Sequence, residues 1–416
     1  MNKALSSLLI LTTLLLISCT SKAEKIQNKK EINNRKFASY AQSYILESQK
    51  KNQEILDKYL KECPLEIKIA QLFVENLEGN KKFRSYETFK EITEGKGKIH
   101  PSTPLIAGGY LFFSYNLADS TQEQLSFMES IKDYSSKNNQ LNPYLSIDQE
   151  GGYVNRLKKL TGGLESQEKI ASEYSIYQAY DIYSNQAKKM KELGFNMNIA
   201  PVLEISTPQN KDFLQGRSFG NKEKVLDYGK VCVRAYENNN IATVVKHFPG
   251  NTNTDPHTGL PEIKLSKEEL EDSLIPFFEI SKLGASAILM SHARTSALDP
   301  QTPACLSKAW VTDVIRNKYN YQGLIFSDDI FMGALVNNGY SPQKAVIMAI
   351  DAGVDCIMTS EKRFGKEAKV LYQKASQDKE FEEKINKAFE RIINYKLKFN
   401  IITYGDLENT IYEKSE

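Results

Sequence analysis

The sequence contains few of the residues that usually mark metal, redox or nucleic-acid sites. Its 416 residues include four histidines and five cysteines, and 54 Lys and Arg nearly balance 52 Asp and Glu. This balance gives no electrostatic footprint for nucleic acid. A zinc site would need closely spaced cysteine pairs. The downstream cysteines are widely separated, so we predict isolated buried thiols at Cys63, Cys232, Cys305 and Cys356.

Signatures of phosphate and metal chemistry are also missing. No GxGxxG turn or P-loop follows the first predicted strand, which argues against a dinucleotide or nucleoside triphosphate site. The His-x-His pair of barrel metallohydrolases is absent too. We expect neither a metal nor a cofactor. The alternative is a metal site whose candidate ligands are His247, Asp255, His257 and His292.

One apolar run stands out, at the N-terminus. Leu8 to Ile17 is too short to span a bilayer comfortably, and it predicts an export signal over residues 1–18. The following Cys19 completes LISC, which resembles a bacterial lipobox and implies lipidation of Cys19. A plain secretory signal is the alternative. Residues 19–40 are polar and rich in Asn and Lys, so they predict a flexible tether to the membrane anchor.

Short apolar runs then alternate with stretches of helical periodicity. This alternation predicts a single catalytic domain with an α/β fold, a (β/α)8 barrel of TIM type, rather than a doubly wound open sheet. We assign the barrel to residues 65–400, with a helical lead-in over 41–64 and a C-terminal tail over 401–416. The eight predicted strands are QLFVENL (71–77), GGYLFFSYN (108–116), PYLSIDQ (143–149), FNMNIAPVLEI (195–205), IATVVKHF (241–248), SAILMSHA (286–293), GLIFSDD (323–329) and VDCIMTS (354–360).

Charged side chains follow several of these predicted strands. Chemistry in such barrels gathers at the carboxyl ends of the strands, so these residues are expected to meet at one rim. Carboxylates accept hydrogen bonds from vicinal hydroxyls, and Lys and Arg donate to ring and carbonyl oxygens. The set therefore favours a polyhydroxylated ligand; it comprises Asp148, Glu150, Arg156, Arg217, Lys246, His247, His292, Arg294, Asp328 and Asp329.

At these positions the chain resembles glycoside hydrolase family 3, specifically its β-N-acetylhexosaminidase branch. The matching segments occur in the order of the family between about residues 65 and 360. They are IDQEGGYVNR, GFNMNIAPVLEI, GRSFG, KHFPG, DPH, ALDP and GLIFSDDIFMGAL. IDQEGG, KHFPG and FSDD are specific as a set, although none of them is specific alone.

The resemblance implies retaining hydrolysis through a covalent glycosyl-enzyme. It assigns Asp328 as the nucleophile, with Asp329 as its structural neighbour, and His257 as an acid/base on a mobile loop supported by Asp255. The chemistry of the residues alone does not choose between Asp328 and Asp329. The resemblance further implies sugar binding by Asp148, Arg156, Arg217, Lys246 and His247.

Two departures from the family pattern concern the acid/base loop. Asn251-Thr252 stands where the branch usually carries His-Gly, and the link to Asp255 is about two residues shorter. Pro256 occupies the middle of the Asp-x-His pair, where it restricts its own backbone and that of Asp255.

The motif set and the predicted export signal together lead us to expect an exported, lipid-anchored enzyme of the bacterial cell envelope. We expect a monomer that removes N-acetylglucosamine from peptidoglycan fragments or chitin oligomers. The alternatives are a glycan-binding lipoprotein that has lost turnover and a family 3 β-glucosidase.

Overall fold

A computed structural model describes residues 42–283 and 287–410. The predicted signal peptide, the tether and Cys19 lie outside the described residues. The chain divides into two units, Met1–Lys58 and Tyr59–Glu416. A helix, α1, covers residues 42–62, within the predicted lead-in. Among the described residues, none of the helices combines the length and apolar character needed to cross a membrane.

Eight parallel strands close a barrel, which confirms the predicted fold. Each barrel strand lies inside one of the eight predicted apolar runs, and consecutive barrel strands are neighbours. The barrel strands are β1 (Phe73–Asn76), β2 (Gly109–Phe112), β3 (Tyr144–Ile147), β6 (Met197–Asn198), β7 (Ala242–Phe248), β9 (Ala287–Met290), β11 (Leu324–Asp329) and β12 (Cys356–Thr359). Two small sheets lie in the loops, formed by β4 (Gln149–Gly151) with β5 (Val154–Asn155) and by β8 (Glu262–Ile263) with β10 (Arg294–Thr295).

Helices connect and surround the barrel strands. They are α2 (Leu65–Gln71), α3 (Phe89–Thr93), α4 (Thr121–Lys137), α5 (Lys158–Thr161), α6 (Gln167–Glu173), α7 (Ile176–Glu192), α8 (Lys211–Leu214), α9 (Lys222–Glu237), α10 (Lys267–Ser281), α11 (Gly333–Val336), α12 (Pro342–Ala352), α13 (Gly365–Ala375), α14 (Lys379–Lys398) and α15 (Tyr404–Asn409). A π-helix spans Ala309–Lys318, and 3₁₀ turns cover Ser114–Asn116 and Ala304–Leu306.

Local sequence explains where the longer helices begin. The Ser120, Ser175 and Ser266 hydroxyls each accept a backbone N–H three residues further on, at the starts of α4, α7 and α10. Such caps satisfy amides that lack a partner within the helix. Four-residue strands such as β1, β2, β3 and β9 are buried along their whole length. This burial is expected for parallel strands covered on both faces.

The segment predicted as a C-terminal tail begins with ordered structure. Ile401 and Ile402 are buried, and α15 follows them with a capping box at Thr403. Leu407 of α15 is also buried. The described part of this segment, 401–410, therefore contributes apolar surface to the barrel unit.

Candidate active site

A cavity of about 820 Å³ lies at the carboxyl end of the barrel strands. Its walls come from the loops after several strands, so residues distant in sequence meet there. All eight side chains that the sequence assigns to catalysis or sugar binding line this cavity: Asp148, Arg156, Arg217, Lys246, His247, Asp255, His257 and Asp328.

Asp328 lies at the end of β11 in an unusual backbone conformation. Its φ is 64°, in the left-handed region that residues other than glycine seldom adopt. Its Oδ1 accepts a hydrogen bond of 2.8 Å from the amide of Asp329, and its Oδ2 lies 3.9 Å from Nε2 of His292. The carboxylate of Asp328 therefore faces the cavity while its backbone is held at the strand end.

The neighbouring Asp329 has a different environment. Its Oδ1 accepts hydrogen bonds of 3.0 Å from the amides of Phe331 and Ser360. These bonds join the loop after β11 to the end of β12. Asp329 is engaged with backbone, whereas Asp328 has one oxygen without a protein hydrogen bond among the described residues.

A buried ion network forms one wall of the cavity. Nζ of Lys246 lies 2.5 Å from Asp148 and 2.6 Å from Glu150. Arg217 donates to both oxygens of Glu150, at 2.7 and 2.9 Å. Lys246 and Glu150 are buried, and such charges need partners of opposite sign to remain ionised. The carboxylates of Asp148 and Glu150 and the cations of Lys246 and Arg217 satisfy that need for one another.

The network holds Glu150 and Lys246 in their charged forms. Burial would raise the pKa of Glu150, but Lys246 and Arg217 outweigh burial and lower this pKa to about 2. Burial would lower the pKa of Lys246, but Asp148 and Glu150 raise it above its usual value. A ligand entering the cavity therefore meets fixed charges with preset directions.

Arg156 reaches the same cavity from the loop after β5. Its guanidinium lies 5.8 Å from the centre of the Phe113 ring. Its buried Nε forms no hydrogen bond within the described part of the chain. Arg156 is thus oriented by an aromatic face and retains donors that a ligand can use.

His247 is oriented by Glu204, a residue that the sequence analysis did not single out. Its Nδ1 lies 2.6 Å from Oε1 of Glu204. The other Glu204 oxygen accepts the amide of Asn251 at 2.7 Å. Glu204 is 2% exposed, so it is a buried support for both groups. Its position near the end of the run FNMNIAPVLEI is the signal that could have identified it.

The loop after β7 carries Asp255 and His257 into the cavity wall. Oδ1 of Asp255 lies 2.7 Å from Nδ1 of His257 and accepts the His257 backbone amide at 2.9 Å. The backbone amide of His257, with the ring contact, lowers the pKa of Asp255 below its usual value. If Nδ1 donates to this carboxylate, Nε2 of His257 is available to exchange a proton with a ligand.

Backbone contacts anchor this short loop at both ends. Asn253 receives hydrogen bonds from the amides of Asp212 and Phe213 and donates to the carbonyl of Pro208. At the other end, the amide of Ala334 donates to the carbonyl of Pro256 at 2.9 Å. The link after β7 therefore places both Asp255 and His257 at the cavity.

Gly333 allows the loop to pack closely against the start of α11. A Cβ atom at this position would lie 2.3 Å from the carbonyl oxygen of His257, which is closer than real Cβ contacts permit. Gly333 belongs to the segment GLIFSDDIFMGAL that also contains Asp328. Close backbone packing thus sets the position of the His257 loop relative to the segment after Asp328.

The described residues contain no cluster of side chains that could bind a metal ion. No group of three or more His, Cys, Asp or Glu side chains is arranged there to hold an ion. The four downstream cysteines, Cys63, Cys232, Cys305 and Cys356, are buried and unpaired.

Comparison with known proteins agrees with this architecture. The family model described as the glycosyl hydrolase family 3 N terminal domain matches residues 65–395. β-Hexosaminidase A of Pseudoalteromonas piscicida is 29% identical over 270 residues, which are 60% of this chain and 45% of that protein. β-Hexosaminidase LpqI of Mycobacterium tuberculosis is 28% identical over 220 residues, which are 51% of this chain and 56% of the relative. The chain thus spans about half the length of these two relatives.

A solved structure gives the same assignment. The glycoside hydrolase family 3 β-N-acetylglucosaminidase of Paenibacillus sp. str. FPU-7 superposes with a TM-score of 0.71 at 25% identity. The superposition covers 83% of this chain and 67% of that one. The resemblance to the β-hexosaminidase branch is confirmed, and the chain belongs to glycoside hydrolase family 3.

Proposed function

We propose that the protein is a retaining β-N-acetylhexosaminidase that releases terminal β-linked N-acetylglucosamine from amino-sugar glycans, such as peptidoglycan fragments or chitin oligomers. The observation that carries this proposal is the cavity that unites Asp328, the Asp255–His257 pair and the Lys246–Glu150–Arg217 network. The names of the relatives, β-hexosaminidase and β-N-acetylglucosaminidase, support the choice of sugar.

The first chemical step forms a covalent glycosyl-enzyme. A carboxylate oxygen of Asp328 attacks the anomeric carbon, and the bond from that carbon to the leaving oxygen breaks. His257 in its protonated form gives a proton to the leaving oxygen. Asp255 stabilises the imidazolium before transfer, since its carboxylate lies 2.7 Å from the ring nitrogen Nδ1.

The second step releases the sugar. His257, now neutral, accepts a proton from a water molecule as the water oxygen attacks the anomeric carbon. The bond to Asp328 breaks, and His257 regains its starting proton. Two displacements at the same carbon retain the β configuration.

The ion network binds the sugar ring during both steps. Asp148 accepts hydrogen bonds from hydroxyls, while Arg156, Arg217 and Lys246 donate to ring substituents. His247 adds a ring nitrogen held in place by Glu204. The charges are fixed before the substrate arrives, so the site loses little energy by reorganising around the substrate.

Activity on a chromogenic β-N-acetylglucosaminide tests the proposal. The full-length protein, purified in detergent, should release the chromophore, and the first sugar product seen by NMR should be the β anomer. The matched control is Asp328→Asn, which keeps the size of the side chain but removes its charge. Release no greater than that of the control would contradict hydrolysis. Faster release from a β-glucoside would indicate a β-glucosidase instead.

We also propose that the protein acts as an exported monomer held at the bacterial envelope by acyl chains on Cys19. The support is the sequence alone, LISC followed by a polar tether. Each buried methylene contributes about 0.8 kcal/mol to membrane binding, so several chains give stable anchoring. Cells fed labelled palmitate should label the wild-type protein and leave Cys19→Ala unlabelled. Equal labelling of both proteins would reject the anchor.

A further inference from the structure

His292 lies beside the proposed nucleophile and has no role in the mechanism above. It follows β9, and its side chain is 0% exposed. Its Nε2 lies 3.9 Å from Oδ2 of Asp328 and forms no hydrogen bond of ordinary geometry within the described residues, although the backbone of Asp329 is near enough to raise the pKa of the ring. A buried polar atom without a partner is costly, so its orientation toward a catalytic carboxylate needs an explanation.

The other ring nitrogen of His292 has a defined neighbour. Nδ1 lies 3.2 Å from Sγ of Cys305, in the 3₁₀ turn Ala304–Leu306. Burial raises the pKa of Cys305 well above its usual value, so the group is a thiol near neutral pH. A thiol can donate weakly to Nδ1. In that arrangement the ring hydrogen is on Nε2 and faces Asp328.

Electrostatics favours this tautomer. The opposite tautomer would direct the lone pair of Nε2 at the Asp328 carboxylate, and two electron-rich groups would then face each other. Burial lowers the pKa of His292, although Asp328 and Asp329 act in the opposite direction. The ring is therefore a neutral donor, which can orient a carboxylate without cancelling its charge.

We propose that His292 is a positioning residue for Asp328. Its Nε2–H holds Oδ2 of the carboxylate, while the amide of Asp329 holds Oδ1, and the Cys305 thiol sets the tautomer. The separation of 3.9 Å exceeds a hydrogen bond, and we expect it to shorten when the sugar is bound, as contacts in catalytic sites often do. This inference rests on the proposed function, in which Asp328 is the nucleophile.

Two substitutions of His292 separate positioning from packing. His292→Leu removes the donor, whereas His292→Gln places an amide N–H near the position of Nε2. We expect His292→Leu to form the glycosyl-enzyme about 100-fold more slowly, a loss typical of removing one preorganised donor. His292→Gln should recover a substantial part of this rate. The rate is measured as covalent trapping by a 5-fluoro N-acetylglucosaminyl fluoride and as kcat on the chromogenic substrate.

Binding of the sugar ring distinguishes a loss of positioning from a loss of structure, because only a loss of structure would weaken binding. In His292→Gln, the inhibition constant for N-acetylglucosamine and the thermal midpoint of unfolding should stay close to the wild-type values. In His292→Leu, both should change far less than the trapping rate. A role in packing alone predicts that binding, stability and trapping decline together, and that Gln is no better than Leu.

Cysteine variants test the tautomer. Cys305→Ser keeps a hydroxyl that can donate to Nδ1, and Cys305→Ala does not. We expect the Ser variant to trap the inhibitor faster than the Ala variant. Cys232→Ala is the matched control, since Cys232 is a buried thiol on α9 outside the cavity, and it should behave as wild type.

The outcomes distinguish this inference from the proposed function. If wild-type protein neither hydrolyses the substrate nor becomes trapped, the proposed function fails. If wild type is active and His292→Leu is trapped at the wild-type rate, the positioning role of His292 is wrong. If wild type is active and Cys305→Ala is trapped as fast as Cys305→Ser, the control of the tautomer by Cys305 is wrong.

Discussion

At the scale of single residues, the ion network contributes to the stability of the fold and fixes the charges in one wall of the cavity. Glu150 is buried between Lys246 and Arg217, so its charge is stable only while both partners remain. Removing one member leaves an uncompensated buried charge, which costs more than the pair contributes. The carboxylates of the network therefore couple acid stability to the geometry of the cavity, where we propose that the sugar binds.

Glu150→Gln should weaken the fold at neutral pH and change its acid sensitivity. The pKa of Glu150 is lowered from 4.5 to about 2 in the folded protein, so its stabilisation is present above about pH 4.5 and is lost as pH falls toward 2. We expect a loss on the order of 3 kcal/mol at pH 7. Urea unfolding at pH 7, 5 and 3 measures this. A Gln variant with wild-type stability at pH 7, or with an unchanged slope below pH 5, would contradict the prediction.

The acid/base role that we propose for His257 predicts a dependence of the rate on the leaving group. His257→Ala should reduce kcat/KM about 100-fold or more for a sugar leaving group, which needs a proton. The loss should be far smaller for a dinitrophenyl leaving group, which departs as an anion. Steady-state kinetics on both substrates measures the difference, with His100→Ala as a control, because His100 is exposed and lies outside the cavity. An equal loss on both substrates would assign His257 to binding.

At the scale of elements, the start of α11, which follows Asp328 in the chain, packs directly against the loop after β7. Gly333 lies against the carbonyl of His257, and Ala334 donates to Pro256. The proposed nucleophile and the proposed acid/base therefore come from two segments of chain whose spacing is set by backbone contact. Displacements of about 1 Å in such sites can change rates by two orders of magnitude.

Gly333→Ala should displace the acid/base loop. The added Cβ would lie 2.3 Å from the carbonyl oxygen of His257, so the loop must move. We expect kcat/KM for a sugar leaving group to fall about tenfold to a hundredfold, with a smaller effect for dinitrophenyl. Gly163→Ala is the matched control, because a Cβ there meets no atom within 4 Å. If Gly333→Ala and Gly163→Ala have the same activity, the contact does not position His257.

The strands and helices also show how much of the fold could be predicted from the sequence. Continuous apolar runs identified all eight barrel strands, because parallel strands buried on both faces leave an unbroken pattern. The run at 195–205 predicts a long strand, yet β6 is only Met197–Asn198. Pro201 has no amide hydrogen to continue the ladder. The small sheets β4–β5 and β8–β10 were not predicted, because strands of two or three residues have no measurable period.

The site was predictable to the extent that its residues lie in local motifs. Asp328, His257 and Lys246 each stand in a short segment of the motif set, so their common location followed from the order of the strands. Glu204 supports His247 from 43 residues away, and Cys305 lies against His292 across a turn. These contacts arise from tertiary packing, and no spacing in the sequence specifies them.

At the scale of the whole molecule, the long helix α14 closes the amino end of the barrel. Nζ of Lys396 donates to Gln71 and to the carbonyl of Asn142, just before β1 and β3. Arg391 of the same helix donates to the buried carboxylate of Asp355 next to β12, at 2.8 Å. Residues near the end of the chain thus bind three strand starts, so the barrel and its closing helix should unfold together.

This closure predicts a stability that rises with pH above neutrality. Burial lowers the pKa of Lys396 from 10.5 to about 7, so between those values the unfolded chain binds more protons at this site than the folded protein. The contribution of Lys396 therefore becomes more favourable as pH rises from 7 toward 10.5, by roughly 1.4 kcal/mol per unit. Lys396→Met should remove this increase of stability with pH. Lys387→Met should keep it, because Lys387 is an exposed lysine on the same helix. Urea unfolding at pH 7, 8, 9 and 10 measures the three slopes. Equal slopes for wild type and Lys396→Met would show that the buried lysine stays protonated, with its two hydrogen bonds outweighing the cost of burial.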